Sequence, residues 1–157
     1  MTEEELVSQK LPGLKQRLMT AVERRIKSIP FEEGVNDSVA VMFSGGLDST
    51  LIAAILGQIL DPPSLGLDLI NVSFEADTSA DRITSIFSFK ELCDLFPDRQ
   101  IRMLCADYPI KTVMDHKDFM MKLTSPKTSH MDFNIGSALH FASKAEGYVF
   151  DKAFFAT

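Results

Sequence analysis

Apolar positions in this chain follow two rhythms, and their order predicts the fold. Leu14, Leu18, Ala21, Val22, Arg25 and Ile29 recur close to the helical period, with Lys15, Arg17, Glu23, Arg24 and Lys27 between them. This predicts an amphipathic helix with a solvated, charged outer face. Pro30, Gly34 and the pair Asn36-Asp37 close that helix and turn the chain. The apolar run Val39-Ala40-Val41-Met42-Phe43 then predicts a first strand, and residues 51–60 a helix stopped by Asp61-Pro62-Pro63. Residues 67–74 are mostly apolar and alternate poorly, the pattern of a strand buried on both faces. After a polar break at 75–81, Ile83, Ile86, Phe87, Leu92 and Leu95 predict a helix ending before Pro97, and 100–106 a third strand. Strand, helix, strand, helix, strand predicts a doubly wound, mostly parallel α/β sheet with right-handed crossovers.

The remainder is less regular. Residues 109–123 predict one helix carrying Val113, Met114, Phe119 and Met120, with the methionines as core filler. Residues 125–130 read as a turn and 131–145 as a last helix before Gly147, while Tyr148-Val149-Phe150 and Phe154-Phe155 read as pieces of a fourth strand. The predicted organisation is a helical lead-in over 1–37 and one α/β domain over 38–157.

The chemistry is concentrated at the first strand–helix junction, Ser44-Gly45-Gly46-Leu47-Asp48-Ser49-Thr50. Adjacent glycines can take positive φ and let backbone N–H groups approach a bulky anion, and the unpaired amides opening a helix carry partial positive charge. Ser44, Ser49 and Thr50 bring hydroxyls to the same place. Asp48 is the odd residue, because a carboxylate beside phosphate oxygens repels them unless a divalent cation lies between. The junction therefore predicts a nucleotide bound with magnesium, using Ser44, Gly45, Gly46, Asp48, Ser49 and Thr50, with Asp48 as metal ligand. A Walker loop would need a lysine before its Ser/Thr and a dinucleotide fingerprint a third glycine, and neither is present. The plain alternative is a Gly-Gly turn with Asp or Ser as helix cap. The strand before and the helix after weigh against it.

Composition narrows the setting. At 157 residues, 45% hydrophobic and 24% charged, the chain matches an ordinary globular domain. Its formal net charge of −6 argues against nucleic-acid binding by broad phosphate neutralisation, though not against one local anion pocket. Cys93 and Cys105 lie in apolar stretches without metal-like spacing, so reduced core thiols are expected, which suits the cytoplasm. No apolar run approaches the roughly 18 residues of a membrane span, and the acidic start Met1-Thr2-Glu3-Glu4-Glu5 is unlike a targeting peptide. No membrane partner is expected. His116, His130 and His140 lack metal-pair spacing and are expected at the surface or as satisfied core residues. Ser125-Pro126-Lys127 is expected to be a turn, with Lys127 and Lys144 free to neutralise phosphate if the fold brings them near the loop.

The loop resembles the PP-loop of the N-type ATP pyrophosphatases, whose signature is Ser-Gly-Gly-x-Asp-Ser, and more closely the asparagine synthetase-like branch of that family. The likeness runs from about Leu14 to Gly147; it is strongest at the loop, next at Leu69-Ile70-Asn71-Val72, and visible again from Asp132-Phe133-Asn134 to Phe141-Ala142-Ser143. It implies that ATP adenylates the side-chain carboxylate of an aspartate-like substrate, that pyrophosphate leaves, and that ammonia displaces AMP to form the amide. By the same resemblance, Met42 and Val72 would contact adenine and residues 132–143 would form a helix lining the nucleotide cleft.

Two departures from the family pattern set further expectations. The family's second acidic, glycine-rich loop is not found, nor is a glutaminase domain with an N-terminal cysteine, since Thr2 follows Met1. The chain is thus expected to be a truncated form, splice product or decayed paralogue with an incomplete synthetase site. Its aromatic end is expected to expose apolar surface that favours self-association. Besides ATP-dependent amide formation, two readings stay open: a nonenzymatic scaffold or regulatory fragment, and another PP-loop activity such as a different amidation or tRNA thiolation.

Overall fold

The computed structural model describes residues 3–30, 38–62, 64–75, 79–126 and 129–155. Their elements are α1 (Glu3–Ile26), β1 (Ser38–Met42), α2 (Leu47–Ile59), β2 (Gly66–Ser73), α3 (Ala80–Leu95), β3 (Ile101–Asp107), α4 (Ile110–Asp115), α5 (Lys117–Thr124), α6 (His130–Ser143) and β4 (Tyr148–Phe150), ending in a 3₁₀ turn at Lys152–Phe155. The expected turn at Gly34, Asn36 and Asp37, the stop at Pro63, and Lys127 lie outside the described residues.

The strands form one sheet in the order β1-β2-β3-β4. β1 pairs with β2 in parallel, Met42 opposite Ile70, and β2 pairs with β3 in parallel, Asn71 opposite Cys105. β4 runs antiparallel to β3. Helices cover both faces, so the sheet is doubly wound and mostly parallel, as the order of apolar segments predicts. On one face Ala53 and Leu56 of α2 and Phe89, Leu92 and Cys93 of α3 join Val39, Val41, Leu67, Leu69, Ile101, Met103 and Cys105 in the core. On the opposite face α6 brings Ala138, Leu139 and Ala142 over Met42, Ile70 and Val72, leaving a cleft between.

That difference corrects the reading of β2 as a strand buried on both faces. Leu67, Leu69, Asn71 and Ser73 are buried, whereas Asp68, Ile70 and Val72 on the other face are only half-buried. The half-buried side changes character along the strand. At its start Asp68 accepts two hydrogen bonds from Arg102, at 2.7 and 2.8 Å, and one from Ser38 Oγ, and at its end it borders the cleft.

Other departures have local causes. The single helix expected over 109–123 breaks at His116, whose backbone sits at φ −93° and ψ 4° and whose Nδ1 lies 2.8 Å from the Thr112 carbonyl. Phe154 and Phe155 lie in the 3₁₀ turn rather than a strand, with the Phe155 ring tilted against the core residue Phe89 at 5.4 Å between centres. α1 begins well before Leu14. Its anchorage is Val22 and Ile26, which pack against the core, while Leu14 remains 55% exposed. Tyr148, Val149 and Phe154 are exposed, as expected of the aromatic end.

The far end of α2 has no basic residue in its last turn. Arg99 supplies the charge from outside: it is 9% exposed and donates to the carbonyls of Gly57, Leu60 and Leu65 at 2.8 to 3.0 Å. A guanidinium satisfying carbonyls near a helix C-terminus complements the helix dipole. It also fixes the helix whose opposite end carries the Gly-Gly loop. Cys93 and Cys105 are buried free thiols, and burial pushes Cys93 up to about 11. Among the described residues, no helix is long and apolar enough to cross a membrane.

Candidate functional site

The Gly-Gly loop is built by the strand before it and the two helices beside it. Phe43, one residue past β1, is buried and its N–H donates to Ile70 O at 2.7 Å, so the chain leaves the sheet only at Ser44. Gly45 then turns at φ +77°, the left-handed region that a side chain disfavours. A Cβ at this position would also collide with the backbone of Thr84 and Ser85 on α3. Gly46 differs. It sits in extended geometry at φ −69° and ψ 168°, and a Cβ there would meet only Ser44 Oγ at an ordinary contact distance. Gly45 is therefore required by the fold. Gly46 leaves open the approach to the start of α2.

Hydroxyl groups hold the turn together. Ser88 Oγ from α3 donates to Gly45 O at 2.9 Å, Thr50 Oγ1 to the same carbonyl at 3.3 Å, and Ser49 Oγ to Gly46 O at 3.1 Å. The Gly46 N–H donates to Ser44 Oγ at 3.3 Å, and Ser44 Oγ lies 3.3 Å from Ser49 Oγ. Ser49 and Thr50, expected as ligand donors, thus direct their hydroxyls to the loop's own carbonyls here. No side chain caps α2 at its N-cap, Gly46. The first-turn amides of a helix lack intrahelical acceptors and carry its positive dipole end. Asp48 stands exposed in that turn, and its carboxylate makes no hydrogen bond or ion pair with any described residue. It does not cap its own helix.

Beside the loop lies a cleft of about 310 Å³ walled by Met42, Ser44, Ile70 and Val72 on the sheet side, by Asp81 of α3, and by α6. Three of the residues expected from the sequence, Met42, Ser44 and Val72, meet in this wall. Gly45 and Gly46 form the adjoining loop, and Asp48, Ser49 and Thr50 stand in the first turn of α2. The segment 132–143, expected to line the cleft, does so through Ala138, Leu139 and Ala142. His116 and His140 pack ring to ring at 6.1 Å in an aromatic cluster with Phe119 and Phe141, and burial and the Lys144 charge hold His140 below its usual range. Lys144 Nζ sits 4.9 Å from the centre of the Phe141 ring. Among the described residues no group of three or more His, Cys, Asp or Glu side chains is placed to hold a metal ion.

Sequence reasoning missed the network under the loop. Asn71, 1% exposed, donates through Nδ2 to Phe43 O at 2.8 Å and accepts at Oδ1 from Arg82 Nε at 2.6 Å. Arg82 in turn pairs with Asp107 at 2.5 Å. One chain of bonds therefore ties the exit of β1, β2, the first turn of α3 and the end of β3. Burying these groups is tolerable only because they satisfy one another. A signal existed: Asn71 is a polar residue of poor strand propensity between the apolar pair Leu69-Ile70 and Val72. Ser85 and Ser88 carried none, since small polar residues are unremarkable on a helix.

A doubly wound α/β domain with a strand–glycine loop–helix junction opening on a cleft is the class that the fold and loop define. Residues 13–88 match the asparagine synthase family model. The chain is 34% identical over 145 residues to an asparagine synthetase domain-containing protein of Saccharomyces cerevisiae, covering 84% of this chain and 27% of that protein. A counterpart in Drosophila melanogaster is 32% identical over 116 residues, covering 67% of this chain and 20% of the relative. Asparagine synthetase domain-containing protein 1 of Gallus gallus is 29% identical over 154 residues, covering 71% and 24% respectively. No solved structure matches the chain significantly. The chain carries an asparagine synthetase-like domain and spans 20% to 27% of the length of these curated relatives.

Proposed function

We propose that this domain binds ATP with magnesium at the Gly-Gly loop and adenylates the carboxylate of an aspartate-like acid as the first half of amide formation. One observation carries the reading: an exposed, unpartnered carboxylate, Asp48, stands in the first turn of a helix that no side chain caps, beside a cleft. A helix start attracts phosphate, and a carboxylate there is compatible with phosphate only across a cation.

The residues present fit both groups. Met42, Ile70 and Val72 offer an apolar wall for a base, and the open approach at Gly46 admits an anion to the helix start. Magnesium characteristically takes one or two carboxylates, with phosphate oxygens and water completing its shell. Asp48 alone therefore suffices as the protein's ligand. In the proposed reaction a carboxylate oxygen forms a bond to the α-phosphorus while the bond from that phosphorus to the β-phosphate bridging oxygen breaks. Negative charge gathers on the departing pyrophosphate, where the first-turn amides of α2 and the Ser44 hydroxyl favour it.

Two measurements test this reading. ATP with magnesium, titrated into the folded chain, should bind, and Gly46→Val should bind at least about tenfold more weakly because its branched side chain blocks the anion's approach. Equal affinity in both proteins would remove the loop from the site. Pyrophosphate release that depends on both aspartate and ATP would support the adenylation step, and ATP binding without such release would reject it.

A further inference from the structure

We infer that a second cleft, between the end of β2 and helices α4 and α6, binds a small molecule carrying a cationic amino group on an apolar body. This cleft encloses about 500 Å³ and shares Val72, Asp81 and Ala138 with the first, so the two are neighbouring chambers under α6.

Its chemistry is one-sided. Glu75 and Asp81 both lie in its wall, and among the described residues neither carboxylate has a partner and no Lys, Arg or His lines the cleft. Arg82, next in sequence to Asp81, is held by Asp107 and Asn71. Two unneutralised carboxylates bordering one chamber favour a cation and disfavour an anion. Ser73, Ser79 and Asn134 are also in the wall, and the remainder is apolar, including Phe133, with Ile110 at 52% and Met114 at 49% exposure.

The independent observation is Ser137. Its side chain is fully buried in the wall of this cleft, and its hydroxyl has no hydrogen-bond partner. A buried serine in a helix ordinarily bonds back to a carbonyl one turn earlier. Leaving such a group unpaired costs about 1–3 kcal/mol, which a ligand atom bonded there would offset. A polar orphan, two carboxylates without partners among the described residues, and the apolar part of the wall together specify an amine with an apolar body.

Aspartate fits this chamber poorly. Its amino group suits Glu75 and Asp81, but its two carboxylates would meet like charge with no cation to receive them. On the nucleotide reading, the cleft is therefore not the acceptor site for an aspartate-like acid but a separate site for an amine that carries no carboxylate. The binding itself does not depend on that reading.

The test titrates phenethylamine, 2-phenylethanol and aspartate into the folded chain by ligand-observed NMR, without nucleotide. Phenethylamine should bind at least about tenfold more tightly than either competitor, the effect of a charge-assisted contact. Glu75→Gln combined with Asp81→Asn should reduce the amine to the affinity of the alcohol, and Ser137→Ala should weaken it further while circular dichroism stays unchanged. Aspartate or the alcohol binding as tightly as the amine, no binding of the amine, or indifference to the carboxylate substitutions would overturn the inference. ATP titrated in parallel separates the two proposals: ATP binding without amine binding rejects only this one, and amine binding without ATP binding rejects only the nucleotide site.

Discussion

The two faces of this sheet do different work with adjacent residues of the same strands. Leu69 is fully buried under α2 and α3, while its neighbour Ile70 points to the opposite face and walls a cleft. One face is a packed apolar layer. The other leaves space under α6, and there the unpaired carboxylates and the orphan hydroxyl are found. The difference teaches where stability and chemistry were allowed to separate: helices after β1 and β2 fall on one side by crossover handedness, so the opposite side is left to later helices, α6 among them.

The sharpest way to break that contrast is to truncate neighbours on opposite faces. Leu69→Ala should lower unfolding free energy by about 3–4 kcal/mol, through lost transfer energy and the cavity left behind. Ile70→Ala should cost less than half as much and should instead weaken nucleotide binding. Urea denaturation and ATP titration on both proteins decide this, and equal costs would end the distinction between faces.

The two glycines give the next largest effect. Gly45→Ala should destabilise by about 3 kcal/mol, combining the left-handed backbone with a forced collision against α3. Gly46→Ala should cost under about 1 kcal/mol in the same denaturation experiment, because its backbone is one that alanine adopts. The reverse ranking would mean that the loop is held differently from the arrangement described.

Asn71→Ala should cost about 2 kcal/mol by leaving the Phe43 carbonyl and the Arg82 guanidinium each short of a partner. Because it loosens the exit of β1, it should also speed amide exchange at Phe43 and Ser44, measurable by NMR. The smallest effect follows pH. Burial raises Cys93 from 9.0 to about 11, so the folded state disfavours its thiolate. The associated stability is fully present below pH 9 and should decline as pH rises from 9 towards 11, and Cys93→Ala should flatten that part of the curve.

Much of the fold was legible in the residue pattern because crossovers and strand runs are local signals. Residues 83–95 and 100–106 became α3 and β3 with little change at their ends. The loop was legible because a double glycine, hydroxyls and an acid between a strand and a helix are unusual together. The break at His116 was not, since it depends on a ring nitrogen meeting a backbone carbonyl at Thr112. Nor was the polar network of Asn71, Arg82 and Asp107, whose members are 11 to 36 positions apart in sequence and meet only when three strand ends align. The second cleft was invisible for the same reason: it is assembled from the end of β2, the start of α3, α4 and α6.

The central claim is that Asp48 serves the nucleotide through a metal, and the magnesium dependence of ATP affinity tests it most directly. In the native chain magnesium should tighten ATP binding strongly. In Asp48→Ala that gain should shrink by about tenfold, while metal-free ATP should bind the variant more tightly than the native chain because a repelling charge has gone. An equal magnesium effect in both proteins, with no gain for the variant in metal-free buffer, would contradict the account.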